Sequence, residues 1–228
     1  MLKSNKIHCK DCDIKSHFFK YLKNEQVDIV DLNKIEISFK AGEIIMKQGT
    51  PITQVVFIKS GYGKVYMEGN NKDLILGITI PGRYINGPGL YYDNISHYTV
   101  SSLTNVETCF IDAIVFKNFV KTNIDFANAF LREFCRRSIS TFDAFYGFTQ
   151  KKMYGRLAMG ILYLSEVFAS LKFDVLLSKK ELGELTNMTK ESVIRTLNQL
   201  EKEGIIIFEN GTLEIKDMDR LKKISQKG

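Results

Sequence analysis

The sequence is poor in the residues that most often mark a catalyst or a secreted fold. It has three histidines, His8, His17 and His97, and four cysteines, Cys9, Cys12, Cys109 and Cys135, in 228 residues. It contains no P-loop, no HExxH, no GxSxG, and no Cys–His or carboxylate pair on a recognisable scaffold, which excludes the enzyme classes those motifs mark. Four cysteines are too few for a disulfide framework in a chain of this size; in a reducing compartment they are thiols, metal ligands or redox groups. No apolar run approaches the ~20 residues of a bilayer span. MLKSNKIHCKDC also lacks the apolar core of a signal peptide, so a cytoplasmic protein with no membrane partner is expected. Charge of one sign is equally scarce. The net charge of +6 comes from 32 basic and 26 acidic residues, and residues 151–228 hold 14 Lys and Arg against 11 Asp and Glu. Bulk charge permits a polyanionic partner without identifying one, so local placement has to.

The placement is most informative in residues 178–204, SKKELGELTNMTKESVIRTLNQLEKEG. Ser178, with Glu181 three residues on, has the spacing of a capping box and predicts a helix start; Leu182 and Leu185 supply its apolar stripe. Asn187 and Met188 interrupt, and Thr189 can cap a second helix whose apolar positions are Val193, Ile194, Leu197 and Leu200, with Gly204 as its stop. In a helix-turn-helix the first turns of the second helix touch base edges. Those positions here are Thr189, Lys190, Glu191, Ser192 and Arg195. Glu191 can accept from a cytosine amino group, and Arg195, one turn later on the same face, can fork onto a guanine. IIIFENGTLEIKD follows, two apolar runs joined by Asn210-Gly211, which predicts a hairpin wing. Double-stranded DNA is therefore the expected partner, the alternative being a ligand- or redox-sensing module whose helix-turn-helix makes protein contacts.

Upstream, KIEISF, EIIMKQG, QVVFIKSG, GKVYMEG, DLILGITIPG, YTVSSL and VETCFID are short β-rich segments separated by glycines, the pattern of a small jelly roll. Residues 114–123 predict a short helix. From Asp125 a long one follows, with Phe126, Phe130, Phe134, Ile139, Phe142 and Phe145 as its stripe. Two dozen helical residues span roughly 36 Å, more than one jelly roll needs to cover a face, so pairing with a second copy is expected.

This order of elements resembles the cAMP receptor protein/FNR superfamily of bacterial transcription regulators. The residues that carry the resemblance are Phe39-Lys40-Ala41-Gly42-Glu43-Ile44-Ile45, Gly49, Phe57-Ile58-Lys59-Ser60-Gly61, Pro81-Gly82 and, most specifically, Thr189-Lys190-Glu191-Ser192-Val193-Ile194-Arg195. It implies an α+β chain: a cyclic-nucleotide-binding-like β jelly roll as sensor over residues 1–124, a dimerisation helix over 125–150, and a winged helix-turn-helix over 151–228. It also implies a homodimer on a palindromic site, with RNA polymerase as a further partner. Glu191 and Arg195 would read a TGA-like half-site, Lys190 would make a further base or phosphate contact, and Ser178 and Lys179 would contact backbone phosphates.

In cAMP-binding members of that superfamily the phosphate is held by a Glu after a Gly and by a later Arg-Ser pair. The matching positions here are Asn86-Gly87 and His97-Tyr98. Without a cation and a hydroxyl beside backbone N–H groups a cyclic nucleotide's charge would be buried unpaired, which argues against cAMP in the usual mode. Arg83 and His97 are the candidates for holding a different anion. The superfamily's other sensor is an iron–sulfur cluster on N-terminal cysteines plus a later one. His8-Cys9-Lys10-Asp11-Cys12 matches the start of that array and Cys109 the later position, but Phe18 stands where the third N-terminal cysteine belongs. Three readings of Cys9 and Cys12 stay open: ordinary thiols left from a lost cluster site, a pair that closes on oxidation, or metal ligands with Cys109 and a histidine. No cofactor is certain from the sequence.

Overall fold

The computed structural model describes residues 8–12, 19–85 and 87–228, so Phe18, His17 and Asn86 lie outside the described residues. The chain divides into two compact units, residues 1–68 with 78–138 and residues 69–77 with 139–228. The division falls inside the long helix, at residues 138 and 139.

The first unit opens with a 3-10 turn, Phe19–Tyr21, and helix α1, Asn24–Asn33. Seven strands follow along the chain: β1 Lys34–Phe39, β2 Ile44–Met46, β3 Gln54–Ser60, β4 Gly63–Met67, β5 Leu74–Thr79, β6 Thr99–Ser102 and β7 Val106–Asp112, of which β5 starts within residues 69–77 of the second unit. A one-turn helix, α2 Gly89–Tyr92, lies between β5 and β6. The strands form two sheets, β1-β7-β3 and β2-β6-β4-β5, which is the expected jelly-roll arrangement. Strand β3 explains how both faces are used. Its interior is buried without a break, and alternate side chains serve opposite sides: Val55 and Phe57 join a core with α1 and the helices that follow, while Val56 and Ile58 join a core with Ile45, Ile85 and Val100.

Asp112 ends β7 and starts α3, Ala113–Thr122, by accepting hydrogen bonds from the N–H groups of Ile114 and Val115 at 2.7 and 3.3 Å. Helix α4, Ile124–Gln150, follows almost directly. Buried Asn123 makes the junction: its amide donates to Tyr21 O and Gln26 Oε1, each at 2.8 Å, and its Oδ1 accepts from Phe126 N. Phe126 packs edge-on against Phe116 and Phe119, so the first turn of α4 belongs to the roll's core. Beyond it Leu131, Phe134, Ile139, Phe142, Phe145 and Tyr146 are exposed along the helix.

The second unit contains α5 Met153–Val167, β8 Lys172–Asp174, α6 Lys179–Thr186, α7 Lys190–Lys202, β9 Ile206–Glu209, β10 Thr212–Ile215 and α8 Met218–Lys227. The strands form one antiparallel sheet, β8-β10-β9. The hairpin turn is as expected, with Asn210 at φ 50° and Gly211 at φ 86°, the left-handed pair of a type I′ turn. Strand β8 and helix α8 both contribute to the core, through Phe173 and Leu221. No helix among the described residues is long and apolar enough to cross a membrane.

Candidate nucleic-acid interface and sensory sites

The helix-turn-helix is built from local signals. Ser178 Oγ accepts from Glu181 N at 3.2 Å and Glu181 Oε2 accepts from Ser178 N at 2.8 Å, closing the capping box. Asn187 ends α6 with φ 52°, and Met188 N reaches back to Gly183 O at 2.8 Å. A side chain on Gly183 would put its Cβ 2.6 Å from Met188 O, so the tight turn requires glycine there. Thr189 then caps α7, its Oγ1 accepting from Ser192 N at 3.2 Å. Leu182, Leu185, Val193, Leu197 and Leu200 are buried. Ile194 departs from the expected stripe: it is 39% exposed, and Thr196 is buried instead, its hydroxyl donating to Ser192 O. Thr196 can take the core position because the carbonyl one turn earlier accepts its only donor.

Thr189, Lys190, Glu191 and Arg195 are exposed on the first two turns of α7, with Ser192 half-buried. No ion pair joins Glu191 to Arg195 among the described residues; Arg195 Nη2 lies 3.9 Å from the Met153 sulfur. Both charged groups are thus available to a ligand. Ser178 is exposed, but its hydroxyl is engaged in the cap. Lys179, expected to meet phosphate, instead places its ammonium 3.1 Å above the centroid of the Phe208 ring, and the nitrogen is buried.

In the first unit the Tyr98 ring packs directly against Gly87. A Cβ on Gly87 would lie 2.5 Å from the Tyr98 ring, and the Tyr98 hydroxyl donates to Ile85 O at 2.7 Å. Burial raises the Tyr98 phenol well above its ordinary value, keeping it a neutral donor. Arg83 and His97 each pair with a carboxylate. Arg83 Nη1 lies 2.7 Å from Glu133 Oε1, and His97 Nε2 lies 3.0 Å from Asp93 Oδ2. Glu133 is the hub here: Arg136 and Arg137 also donate to it, and Arg137 Nη1 donates to Tyr84 O at 2.8 Å. Burial pushes the Glu133 carboxyl up, but the hydrogen bonds from Arg136 and Arg137 outweigh it and hold the group at about 2.

Cys9, Cys12 and Cys109 do line one cavity, together with Lys34, Glu36 and Lys59. Asp31, Lys34, Glu36 and Lys59 form a ladder of ion pairs through it, at 3.0, 3.2 and 2.7 Å in that order. Lys59 sits where β3 shifts register against β7, on the same strand face as Val55 and Phe57. Cys9 N donates to Asp31 Oδ1 at 2.8 Å, and Lys34 Nζ donates to the Cys9 sulfur at 3.5 Å. Burial, with hydrogen bonding to Asp31, pushes the Cys9 thiol up to about 12; burial and the Glu36 charge push Cys109 to about 11. These residues do not fit the iron–sulfur cluster that the resemblance implies. A cubane cluster is ordinarily held by four thiolates, whereas the cavity offers three thiols, with an ammonium directed at one sulfur. The cavity's ~20 Å³ suits one water. Among the described residues no group of three or more His, Cys, Asp or Glu side chains is arranged to hold a metal ion.

The family model for the cyclic nucleotide-binding domain matches residues 36–123, and that for the Crp-like helix-turn-helix domain matches residues 155–224. The chain belongs to the Crp/Fnr superfamily and is a DNA-binding transcription regulator with a cyclic-nucleotide-binding-like sensory domain. Its relatives include the Anaerobic regulatory protein of Pasteurella multocida, 24% identical over 96% of this chain and 83% of that protein. They also include the Fumarate and nitrate reduction regulatory protein of Escherichia coli strain K12, 25% identical over 96% and 90%. Among solved structures, FixK2 from Bradyrhizobium japonicum shares the fold with a TM-score of 0.77 at 18% identity, covering 84% of this chain and 96% of that one. A CooA mutant from Carboxydothermus hydrogenoformans does so at 0.72 and 18% identity, covering 93% and 96%.

Proposed function

We propose that the chain controls transcription in the cytoplasm as a homodimer on a palindromic site, with RNA polymerase as a further partner and no catalytic step of its own. The observation that carries this reading is the exposed first face of α7, where Thr189, Lys190, Glu191 and Arg195 stand beside a wing. Glu191 takes a cytosine amino group and Arg195 a guanine. The dimer is supported by α4, whose exposed Leu131, Phe134, Ile139, Phe142 and Phe145 have the repeat of a helix seam that a second copy would cover. The Tyr98 ring packed against Gly87, and the presence of only three cysteines in the cavity with an ammonium at one of them, support an effector other than cAMP or a four-cysteine cluster. Such a signal, acting on the roll, would bias the packing of the two α4 helices and hence the separation of the two α7 helices.

Titration onto a duplex with two TGA-like half-sites, their centres about one DNA turn apart, tests the reading. Two chains per duplex are expected, with binding lost when one half-site is moved by half a turn. One chain per duplex, or indifference to spacing, would overturn it.

A further inference from the structure

Among the residues the resemblance assigns to phosphate, Lys179 is the one whose surroundings disagree. Its ammonium nitrogen is buried and has no hydrogen-bond partner among the described residues, and it lies 3.1 Å from the centroid of the Phe208 ring. An ammonium removed from water is costly unless something replaces hydration, and an aromatic face supplies part of that replacement. The Glu201 carboxylate supplies more. Burial lowers the Lys179 pKa and the Glu201 charge opposes that shift. Glu201 has a second task, since its Oε1 accepts a hydrogen bond from the backbone N–H of Phe208 at 2.8 Å. Phe208 in β9 is therefore held twice, on its ring by Lys179 from the first turn of α6 and on its backbone by Glu201 from the last turns of α7.

We propose that Lys179 is a positioning residue, tying the wing to the two helices of the helix-turn-helix through Phe208, and that it makes no contact with a DNA phosphate. The proposal rests on the DNA-binding reading above and refines it. To reach a phosphate the ammonium would have to leave the ring and the Glu201 field, releasing the wing strand it holds. Lys180 and Lys190 differ from it in having exposed side chains, although Lys180 lies 3.4 Å from Glu184.

The test compares Lys179→Met, Lys179→Arg, Phe208→Leu and the double variant Lys179→Met/Phe208→Leu in the full chain. Affinity for a palindromic duplex is measured across a salt series, and stability by urea unfolding without DNA. A positioning role predicts that Lys179→Met leaves the slope of log affinity against log salt unchanged. It also predicts that Lys179→Arg, which keeps a cation over the ring, restores wild-type affinity. In unfolding, Lys179→Met should raise the unfolding constant by roughly tenfold, with the double variant no worse than the more damaging single change. A slope reduced by about 0.9 per half-site in Lys179→Met, with additive unfolding effects, would overturn the proposal and make Lys179 a phosphate contact. A wild-type chain that binds no duplex would defeat the DNA reading, while the unfolding cycle would still decide whether the tie exists.

Discussion

The Lys34 ammonium lies 3.5 Å from the Cys9 sulfur, with the Asp31 carboxylate 3.0 Å away on the same nitrogen. Lys34 is raised further above its ordinary pKa: burial works against the charge, and the hydrogen bond to Asp31 leads the effects that outweigh it. The ammonium stands where a metal ion would have to approach the Cys9 sulfur, and its positive charge would repel the ion. Protein purified without oxygen should accordingly be colourless and free of iron and sulfide. Its spectrum should be the same after Cys9→Ser and Cys12→Ser. Visible charge-transfer bands that disappear in either variant would contradict the assignment.

Acid should expose the Glu133 hub. The folded carboxyl titrates at about 2, below the 4.5 of an unperturbed glutamate, because Arg136, Arg137 and Arg83 favour its charged form. A depressed carboxyl contributes stability that is present above the unfolded value and is lost as pH falls through the folded one, here from about pH 4.5 to about pH 2. Urea midpoints measured from pH 6 downward should fall over that window. Glu133→Gln should flatten that part of the curve and lower stability near neutrality. An unchanged acid limb in Glu133→Gln would remove Glu133 from the account.

The α4 stripe makes its own prediction. Phe142 is 70% exposed in one chain. Phe142→Glu should leave the single-chain fold intact, since no core residue is touched, and shift sedimentation from dimer to monomer. Palindrome affinity should drop by about a hundredfold or more as the linked half-sites become independent. A Phe142→Glu protein that stays dimeric would move the seam elsewhere.

Local signals were the legible ones. The Ser178–Glu181 box, the Thr189 cap, the Asn210-Gly211 turn and the unbroken apolar run of β3 are each written within a few residues, and all form as read. Elements defined by partners far along the chain were not. Strand β8 is three residues that exist by pairing with β10, and the Glu36–Lys59 pair joins two strands on either side of β7. The Gly87–Tyr98 contact and the Lys179–Phe208 contact likewise depend on where two separate loops or elements meet. The cysteines illustrate the limit: their gathering into one cavity was legible from resemblance, but the lysines that fill it with charge were not.

The central claim, that α7 reads sequence, rests on Arg195 more than on any other side chain, because a guanidinium can bind two acceptors on one guanine edge. The most direct measurement is the affinity of wild type and Arg195→Ala for a palindromic duplex and for a random duplex at one fixed salt concentration. The account predicts a loss of about 1–3 kcal/mol per half-site on the palindrome, with the penalty for changing the contacted base pair abolished and a much smaller loss on the random duplex. Equal losses on the two duplexes would mean that Arg195 meets only the backbone, and the reading of α7 as the recognition helix would have to be given up.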